Sequence, residues 1–600
     1  MKLRLKKELP KKGIYILYIL LIFVTLIPIM NDFLIRGHDI YFHLMRIEGL
    51  ARGLKCGQFP VKIQPVWYGD FGYAVSAFYG DLFVYAAAGL RLLGFSLQNA
   101  YKGYLILCNI GTVLISGYCF TGIFKNKYIG LFGSSLYSLA VYRFVNLYTR
   151  GALGEYTGMM LLPLLMYACC LLLNRERNLA KLKKGAVLLG AGMAGILQCH
   201  MLTAEIACMM LALTMLLFIR RVFHKEVIIA GIKAVGIAVG LSAWFLVPFL
   251  DYMLNGKFNI NTVDNSELMI QRQGVFLSQV FALFDNAIGQ SLDLSSGTEG
   301  DFAQGAGLGL SAALLAFAVI FLYEIIKNRS EFKPEQWKMP LTAAFIGTVA
   351  IVMSTLYFPW DGICSLGSLF RYIVVKIQFP WRLTGIATLA LSLLWCSVIS
   401  YIYLKSEKSG RKTAAVISIS VVAVMLLSAA HFMTDLFDRG ERIEVRCAAD
   451  MDSYVGSGEE YLPVGTVPEE LKKENLNNGD GIDDGIINGI VISEYDKDGT
   501  NVALHCENSS DTDKVLEIPL LYYDGYKAIA ADMQGDRHEL NIYEGNNGEV
   551  SVVIPGHSAY NIQIGFYEKW YWRIAEIVSL ITLIIIIVSA KRAIKLPNVI

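Results

Sequence analysis

Long apolar runs recur along most of the chain, and their length is the feature that most limits its fold. Twelve runs approach the roughly 20 residues that a helix needs to cross about 30 Å of hydrocarbon. Apolar residues make up 55% of the 600 residues, which agrees with a polytopic α-helical membrane protein and not with a soluble one. The predicted spans lie near residues 13–30, 103–123, 128–143, 157–173, 185–200, 203–219, 227–250, 311–326, 340–357, 384–404, 413–433 and 574–590.

Clusters of Lys and Arg set the predicted orientation, because such clusters near helix ends stay in the cytoplasm. The opening MKLRLKKELPKK is basic, and the apolar run after it lacks a small-residue cleavage site, so we expect a retained first helix. Twelve crossings place every basic cluster and both termini in the cytoplasm. The short apolar segment 83–95 is then interfacial, since a crossing there would reverse all later loops. The predicted outer segments are 31–102, 144–156, 251–310, 358–383 and 434–573.

The largest outer segment differs in composition from the rest of the chain. Residues 436–573 combine short strand-like runs, such as Val515–Leu521 and Glu549–Ile554, with Asn-Asn-Gly and Asp-Gly turn signals. This pattern predicts a mainly β extracytoplasmic domain. We expect three regions: a transmembrane domain at 1–435 with a large first outer loop at 31–102, the β-rich domain at 436–573, and a final helix with a cytoplasmic tail at 574–600. Trp570, Tyr571 and Trp572 are predicted to form an aromatic belt.

Charge and cysteine content exclude several classes of function. The net charge is +2, and its positive part belongs to the basic clusters that set the orientation. It does not indicate a basic face that binds nucleic acid. The eleven cysteines lack metal-ligand spacing. Cys447 and Cys506 lie in the same predicted domain and could form one disulfide. Helix centres carry few ionisable residues, which argues against a coupled transporter.

The first outer loop begins with the densest set of chemically useful side chains. Asp39, His43 and Arg46 follow one another at i, i+4 and i+7, so a helix that starts near Asp39 would present all three on one face. Such a face suits chemistry on a substrate that the membrane presents. The alternative is an amphipathic juxtamembrane helix whose polar face is simply wet.

Two other outer turns carry charged pairs. Arg150 can bind a phosphate through two hydrogen bonds, and Glu155 can orient a hydroxyl or ligate a metal. A structural Arg–Glu pair explains both residues as well. His200 and Glu205 lie in a tight turn between two spans. They either hold the helix hairpin together or face a substrate cavity.

A basic patch precedes the span at 384–404. Arg371, Lys376 and Arg382 lie near the predicted outer surface, where cations bind anionic headgroups, often without specificity.

The order and spacing of several strings resemble one known family. The chain is similar to the bacterial YfhO-like membrane proteins, also named 6-pyruvoyl-tetrahydropterin-synthase-related, which in turn resemble the GT-C superfamily of glycosyltransferases. The match covers most of residues 10–435. The strings that carry it are Gly37-His38-Asp39, Phe42-His43-Leu44, Arg46-Ile47, Gly57-Gln58-Phe59-Pro60, Arg150-Gly151-Ala152-Leu153-Gly154-Glu155, Gln378-Phe379-Pro380-Trp381-Arg382 and Tyr461-Leu462-Pro463.

The resemblance implies a glycosyltransferase of the bacterial cytoplasmic membrane. Its donor would be a polyprenyl-phosphate-linked sugar, and its acceptor a cell-envelope polymer, lipid or protein. Asp39 would be the general base or a carboxylate that orients the acceptor. Arg150, Arg382 and Arg371 would bind the leaving phosphate. The other candidate substrate-binding residues are His43, Arg46, Glu155, His200 and Glu205.

The sequence departs from two patterns of related enzymes. A clean Asp-x-Asp is missing from the first loop, so the sequence predicts no metal ligands. The use of a divalent cation stays an open alternative. The Trp-Trp-Asp string of oligosaccharyltransferases is also missing, which disfavours transfer to asparagine. The competing interpretations are a transporter of lipid-linked sugars or polymers and a noncatalytic envelope assembly protein.

Overall fold

The computed structural model describes residues 11–176, 178–262, 270–289, 302–327, 333–405, 409–451, 459–471 and 485–595. Contacts along the chain define two compact units. The first comprises Met1–Ile40, Lys102–Val239 and Asn265–Glu444, and the second comprises Tyr41–Tyr101, Gly240–Asp264 and Val445–Ile600. The second unit thus combines most of the first outer loop with the β-rich segment. The boundaries at 435 and 573 drawn from composition stay predictions.

Helices account for most of the described chain. In chain order they are α1 (Lys11–Leu26), α2 (Ile40–Lys55), α3 (Val75–Phe78), α4 (Tyr85–Leu92), α5 (Leu97–Phe124), α6 (Lys127–Ser138), α7 (Val141–Phe144), α8 (Leu153–Leu172), α9 (Leu179–Leu197), α10 (Met201–Leu217), α11 (Ile219–Val222), α12 (Lys225–Asn255), α13 (Asn259–Thr262), α14 (Leu277–Phe281), α15 (Leu308–Lys327), α16 (Pro334–Ser354), α17 (Trp360–Cys364), α18 (Ser368–Lys376), α19 (Thr384–Lys405), α20 (Ser409–Arg439) and α21 (Trp570–Lys595).

The strands lie mainly in the C-terminal part of the chain. They are β1 (Leu34–Ile35), β2 (Arg442–Ile443), β3 (Gly485–Ile487), β4 (Ile490–Asp498), β5 (Asn501–Asn508), β6 (Lys514–Leu521), β7 (Tyr526–Ala531), β8 (Arg537–Leu540), β9 (Ile542–Glu544), β10 (Glu549–Ile554) and β11 (Ser558–Phe566).

Within the described residues, eight helices are long and apolar enough to cross a membrane. They coincide with eight of the twelve predicted spans, so the chain is a multi-pass helical membrane protein with a C-terminal β domain. Two more predicted spans correspond to shorter apolar helices, Gly13–Ile29 and Met201–Leu217. The total of twelve crossings remains a prediction.

The remaining two predicted spans differ from the observed helices for physical reasons. α6 has 12 residues, and at 1.5 Å per residue it is about 18 Å long, well short of the hydrocarbon thickness. α9 has 19 residues but carries Lys181, Lys183 and Lys184 near its start, which lowers its apolar character. Residues 128–143 are all buried or half-buried within the protein.

The first unit is a helical bundle with α19 at its centre. α19 packs against α6, α15, α16 and α20. In the span that includes α19, 78% of the apolar window is buried inside the protein, against 22% for α20. The segment that leads into α19 is therefore fixed by surrounding helices, which matters for Arg382 just before it.

The second unit contains two antiparallel sheets. Six strands follow the order β3-β4-β5-β11-β7-β8, and three follow the order β6-β10-β9. Alternate residues of β5 are buried, among them Leu504, as expected for a strand with one face on a core. In β6 the burial is continuous from Ile518 to Leu521. β6 and β10 match the two predicted strands, and the Asn-Asn-Gly signal forms the turn before β10, where Asn547 and Gly548 have φ of 52° and 72°. The predicted C-terminal β domain is thus confirmed, and its extracytoplasmic position stays a prediction.

The aromatic residues at the start of α21 differ in their environments. Trp570 is 73% exposed, but Trp572 is fully buried and donates from Nε1 to Asp251 Oδ2 at 2.9 Å. The predicted belt is therefore wrong for Trp572, whose indole N–H has a carboxylate partner inside the unit.

Cys447 and Cys506 are both free thiols. Cys506 is buried on β5, where its side chain belongs to the alternating core face, while Cys447 is exposed. The pair therefore forms no disulfide in this structure.

We expect all eleven cysteines to be alkylated when the purified protein is denatured without reductant. Intact-mass spectrometry after maleimide treatment counts the adducts. A product two adducts short, with Cys447 and Cys506 recovered as one linked peptide, would contradict the structure.

Candidate active site

Two strings that are distant in sequence meet in the first unit. The backbone N–H of Asp39 donates to the carbonyl of Arg150 at 2.8 Å. A Cβ at Gly37 would lie 3.0 Å from backbone atoms of both Arg150 and Gly151, so this close approach favours glycine. The Gly-His-Asp string is thereby fixed against the turn that carries Arg150.

The turn at Arg150 is itself well ordered by hydrogen bonds. A π-helical turn covers Val145–Thr149, and Arg150 follows it directly. Arg150 donates from Nη1 to Asn146 Oδ1 at 2.5 Å. The backbone N–H of Ala152 donates to the carbonyl of Asn146 at 2.9 Å. Gly151 has a φ of 67°, which lets the chain reverse before α8 begins.

Glu155 lies in the first turn of α8 and joins the surrounding groups. Its Oε2 accepts from Arg150 Nη1 at 2.8 Å and lies 3.4 Å from Arg382 Nε. Its Oε1 accepts from the Tyr142 hydroxyl at 2.6 Å. All these side chains are buried. One carboxylate therefore holds two guanidinium groups and a phenol in place.

Arg382 is held from its other side by its own loop. It donates from Nη1 to the Ile377 carbonyl at 3.1 Å and to Gln378 Oε1 at 2.9 Å. Its guanidinium also lies 5.0 Å from the Phe379 ring centroid, within the range of a cation–π contact. Arg382 is thus a fixed cation at the entry to the central helix.

Asp39 is the least restrained acidic group of the cluster. It is surrounded by protein yet keeps part of its surface accessible. Among the residues that the structure describes, no side chain or backbone group donates a hydrogen bond to its carboxylate. Burial raises its pKa, Arg150 and Arg382 lower it, and Glu155 raises it, with a net increase above 3.8. Asp39 is a carboxylate whose ionised form is disfavoured and whose oxygens are available.

His38 adds an unprotonated imidazole next to Asp39. Burial and then the charge of Arg150 lower its pKa to about 4, so the ring is neutral at pH 7. The ring packs edge-on against Phe302 at 5.3 Å, and its Nδ1 is buried without a hydrogen-bond partner in the described part of the chain. His38 therefore brings a free polar atom to the same turn.

Arg150 keeps unused donors. Its recorded hydrogen bonds to Asn146 and Glu155 both come from Nη1. Burial lowers its pKa, but the carboxylates of Glu155 and Asp39 outweigh burial and raise it overall, so the group stays charged. Nε and Nη2 have no acceptor within the described ranges, and they are suited to an anionic oxygen.

The arrangement does not suit a divalent cation. Asp39 and Glu155 are the nearby carboxylates, but both oxygens of Glu155 already accept from arginine or tyrosine. Arg150 and Arg382 would also repel a cation. No group of three or more His, Cys, Asp or Glu that could hold a metal is found among the described residues.

The structure puts His43 and Arg46 in a different cluster, inside the second unit. Arg46 forms a buried ion pair with Asp81, donates to the Gly80 carbonyl at 2.9 Å, and lies 4.1 Å from the Tyr79 ring centroid. Its Nη1 is 3.2 Å from His43 Nδ1, which must be the acceptor because guanidinium only donates. The α2 helix starts at Ile40, close to the predicted start. A substrate-binding role of His43 and Arg46 stays a prediction.

The other predicted residues occupy separate positions. His200 caps α10, accepting at Nδ1 from the Thr203 N–H at 3.2 Å, and it also interacts electrostatically with Glu155. Glu205 is half-buried on α10, and Arg371 is exposed on α18. The N-cap supports the hairpin role of His200, and its substrate-cavity role stays a prediction.

Tyr142 and Asn146 were not predicted as site residues, and His38 had no assigned role. The four-residue spacing of Asn146 and Arg150 is visible in the sequence and could have indicated a local contact. Tyr142 reaches Glu155 only because the chain reverses at Gly151, which no local pattern reveals.

Comparison with curated proteins finds a similar sequence of nearly the same length. It is an uncharacterised protein of Lactococcus lactis subsp. cremoris strain MG1363, 23% identical, with 98% of this chain and 97% of the other covered. No protein-family model matches the chain. The YfhO-like family name therefore remains a prediction from the sequence.

Similar solved structures are named as glycosyltransferases. Arabinofuranosyltransferase AftD from Mycobacteria has a TM-score of 0.44 and 14% identity over 73% of this chain and 28% of that one. ArnT from Cupriavidus metallidurans bound to undecaprenyl phosphate has a TM-score of 0.37 and 11% identity over 71% and 76%. The oligosaccharyltransferase of Archaeoglobus fulgidus has a TM-score of 0.36 and 10% identity over 71% and 57%. The chain spans just over a quarter of the length of AftD.

We expect Asp39→Asn and Glu155→Gln to change stability in opposite directions at pH 7. The folded pKa of Asp39 lies above its unfolded value, so ionised Asp39 opposes folding above that pKa, and an amide removes the penalty. Glu155→Gln leaves buried arginines without their carboxylate and should cost about 3–5 kcal/mol. Thermal unfolding of the purified full chain measures both effects. A lower melting temperature for Asp39→Asn would contradict the pKa assignment.

Proposed function

We propose that this protein is a membrane glycosyltransferase of the GT-C type, which transfers a sugar from a polyprenyl-phosphate donor to a hydroxyl of a cell-envelope acceptor. One observation carries the proposal: the accessible Asp39 carboxylate lies in a cluster with two arginines that Glu155 holds in fixed positions. The Gly-His-Asp and Arg-Gly-Ala-Leu-Gly-Glu strings resemble the YfhO-like family, which in turn resembles the GT-C glycosyltransferases, and this supports the same reaction.

Asp39 is proposed as the general base. Its oxygens have no donor among the described residues, so one of them can accept the proton of an acceptor hydroxyl. The hydroxyl oxygen then attacks the anomeric carbon, the bond from that carbon to the phosphate oxygen breaks, and polyprenyl phosphate leaves with the electron pair. A pKa above 3.8 makes the ionised Asp39 a stronger base than an ordinary aspartate. We expect inversion at the anomeric carbon, since the displacement is a single step.

Arg150 and Arg382 are proposed to stabilise the charge that develops on the leaving phosphate. Arg150 has donors without acceptors in the described chain, and both guanidinium groups are fixed before the substrate arrives. Fixed donors stabilise developing charge without reorganisation at the moment of reaction. Arg371 is exposed on α18, where it is suited to an earlier contact with the donor headgroup.

Glu155 is proposed as a positioning residue and not as a second base. Its two oxygens are occupied by Arg150, Tyr142 and the nearby Arg382. It keeps the two cations close together despite their mutual repulsion and leaves Asp39 as the group open to an acceptor. His200 would support this network through its electrostatic contact with Glu155.

Asp39→Asn should lower the transfer rate by about 10²–10⁴-fold, the usual contribution of a general base. The assay supplies a panel of radiolabelled polyprenyl-phosphate hexoses and pentoses with cell-envelope extract to purified protein. Asp32→Asn is the matched control, because Asp32 is an exposed aspartate of the same loop outside the cluster. Transfer that survives in Asp39→Asn would contradict the role of Asp39. Movement of intact donor across vesicles without bond cleavage would favour a transporter.

The pH dependence of transfer offers a second test. Asp39 must be deprotonated to act, so activity should fall as the pH drops through its pKa, at a pH above 3.8. Arg150 lowers that pKa, so Arg150→Gln should move the acidic limb of the residual rate to higher pH as well as lowering the plateau. If the acidic limb of the pH–rate profile stays at the same pH in Arg150→Gln, the group that limits activity at low pH is not Asp39.

A further inference from the structure

A cavity of about 570 Å³ lies among four helices of the first unit, α8, α10, α16 and α19. This volume is within the range of roughly 300–1,000 Å³ that is typical of ligand sites. On α8 the lining residues recur every three or four positions from Leu162 to Leu173. That stripe spans about 16 Å at 1.5 Å per residue, so the cavity runs along the helices as a narrow slot.

The cavity is apolar along its length and charged at one end. Ala207 and Ile346 are examples of its apolar wall. The charged end is formed where α8 ends and α16 begins, by Arg175, Glu176, Arg221, Glu335 and Lys338. The loops at this end carry basic clusters, which predicts that the mouth faces the cytoplasm.

The cavity is distinct from the cluster around Asp39. Glu155 lies in the first turn of α8, and the cavity lining starts at Leu162 and continues to the other end of that helix. Asp39, Arg150 and Arg382 are not among its lining residues.

Cations outnumber acids at the mouth. Glu335 is shared by Arg221, at 2.8 Å, and by Lys338, so one positive charge of this trio is uncompensated. Glu176 is paired with Lys181 at 3.1 Å, outside the cavity. Arg175 also interacts electrostatically with Glu335, so three cations at the rim share one carboxylate. An apolar slot with a cationic mouth is complementary to a lipid with an anionic headgroup.

We propose that this cavity binds one acyl chain of an anionic phospholipid, with the phosphate of its headgroup between Arg175, Arg221 and Lys338. The slot buries the chain beside Ala207 and the other apolar residues, and the mouth lies where the predicted cytoplasmic leaflet has its headgroups. A neutral lipid would fill the slot without satisfying the cations. Inorganic phosphate would meet the cations without filling the slot.

Native mass spectrometry of the purified full chain with added phosphatidylglycerol or phosphatidylcholine tests the site. We expect phosphatidylglycerol to bind the wild type about 10-fold more tightly, as expected for a few cationic contacts. The double variant Arg175→Gln/Lys338→Gln should lose this preference. Arg220→Gln is the matched control, because Arg220 is exposed in the same basic cluster and does not line the cavity.

A second pair of variants tests the slot itself. Ala207→Phe fills the cavity and should weaken both lipids about 10-fold, whereas Ala212→Phe, at an exposed position on the same helix, should leave binding unchanged. Thr214→Phe narrows the slot nearer the mouth, and it replaces Ala207→Phe in this test if that variant does not fold. Equal binding of both lipids to the wild type, or full binding by both cavity variants, would overturn the proposal. Undecaprenyl phosphate outcompeting phosphatidylglycerol would also overturn it, since the slot would then belong to a polyprenyl lipid.

Discussion

The carboxylate of Glu155 between two arginines is the interaction on which the rest of the site depends. Arg150 and Arg382 come from segments more than two hundred residues apart, and like charges repel unless an acid lies between them. Burying this set removes three charges from water, and such a cost is offset only when the remaining hydrogen bonds are made. Tyr142 and Asn146 make those bonds. The first unit thus holds two cations in a place where an isolated arginine would be expensive.

This construction leaves Asp39 in an unusual position. Its backbone is bonded to Arg150, but its carboxylate is free of donors from the described residues, and burial is the main influence on its pKa. An arginine and an aspartate also meet elsewhere in the first loop, in a different arrangement. Arg46 and Asp81 form a buried ion pair, and the second carboxylate oxygen of Asp81 lies 3.4 Å from the side-chain nitrogen of Gln64. The carboxylate of Asp81 is thus enclosed, whereas Asp39 keeps part of its surface accessible.

Much of this architecture could be predicted from the sequence, because spans and strands are marked by local patterns. Apolar length identified the eight long helices, and the turn residues around Asn547 identified the start of β10. Asp39, Arg150, Glu155 and Arg382 were also selected in advance, by residue type and by resemblance. The spacing of Asp39, His43 and Arg46 suggested one functional face but could not show that Arg46 has a buried partner in Asp81. A substrate-binding role of His43 and Arg46 stays a prediction. Tyr142 could not be found, since its contact with Glu155 arises from a chain reversal.

The hydrogen bond from the Asp39 amide to the Arg150 carbonyl has a consequence for relatives of this protein. It joins two main-chain groups and uses neither functional side chain, while the close packing at Gly37 involves backbone atoms only. A relative with different side chains at positions 39 and 150 would therefore retain the same path of the loop. Loss of chemistry during evolution would leave no trace in such a fold, so enzymes and noncatalytic descendants must be separated by their residues at these positions and not by their shape.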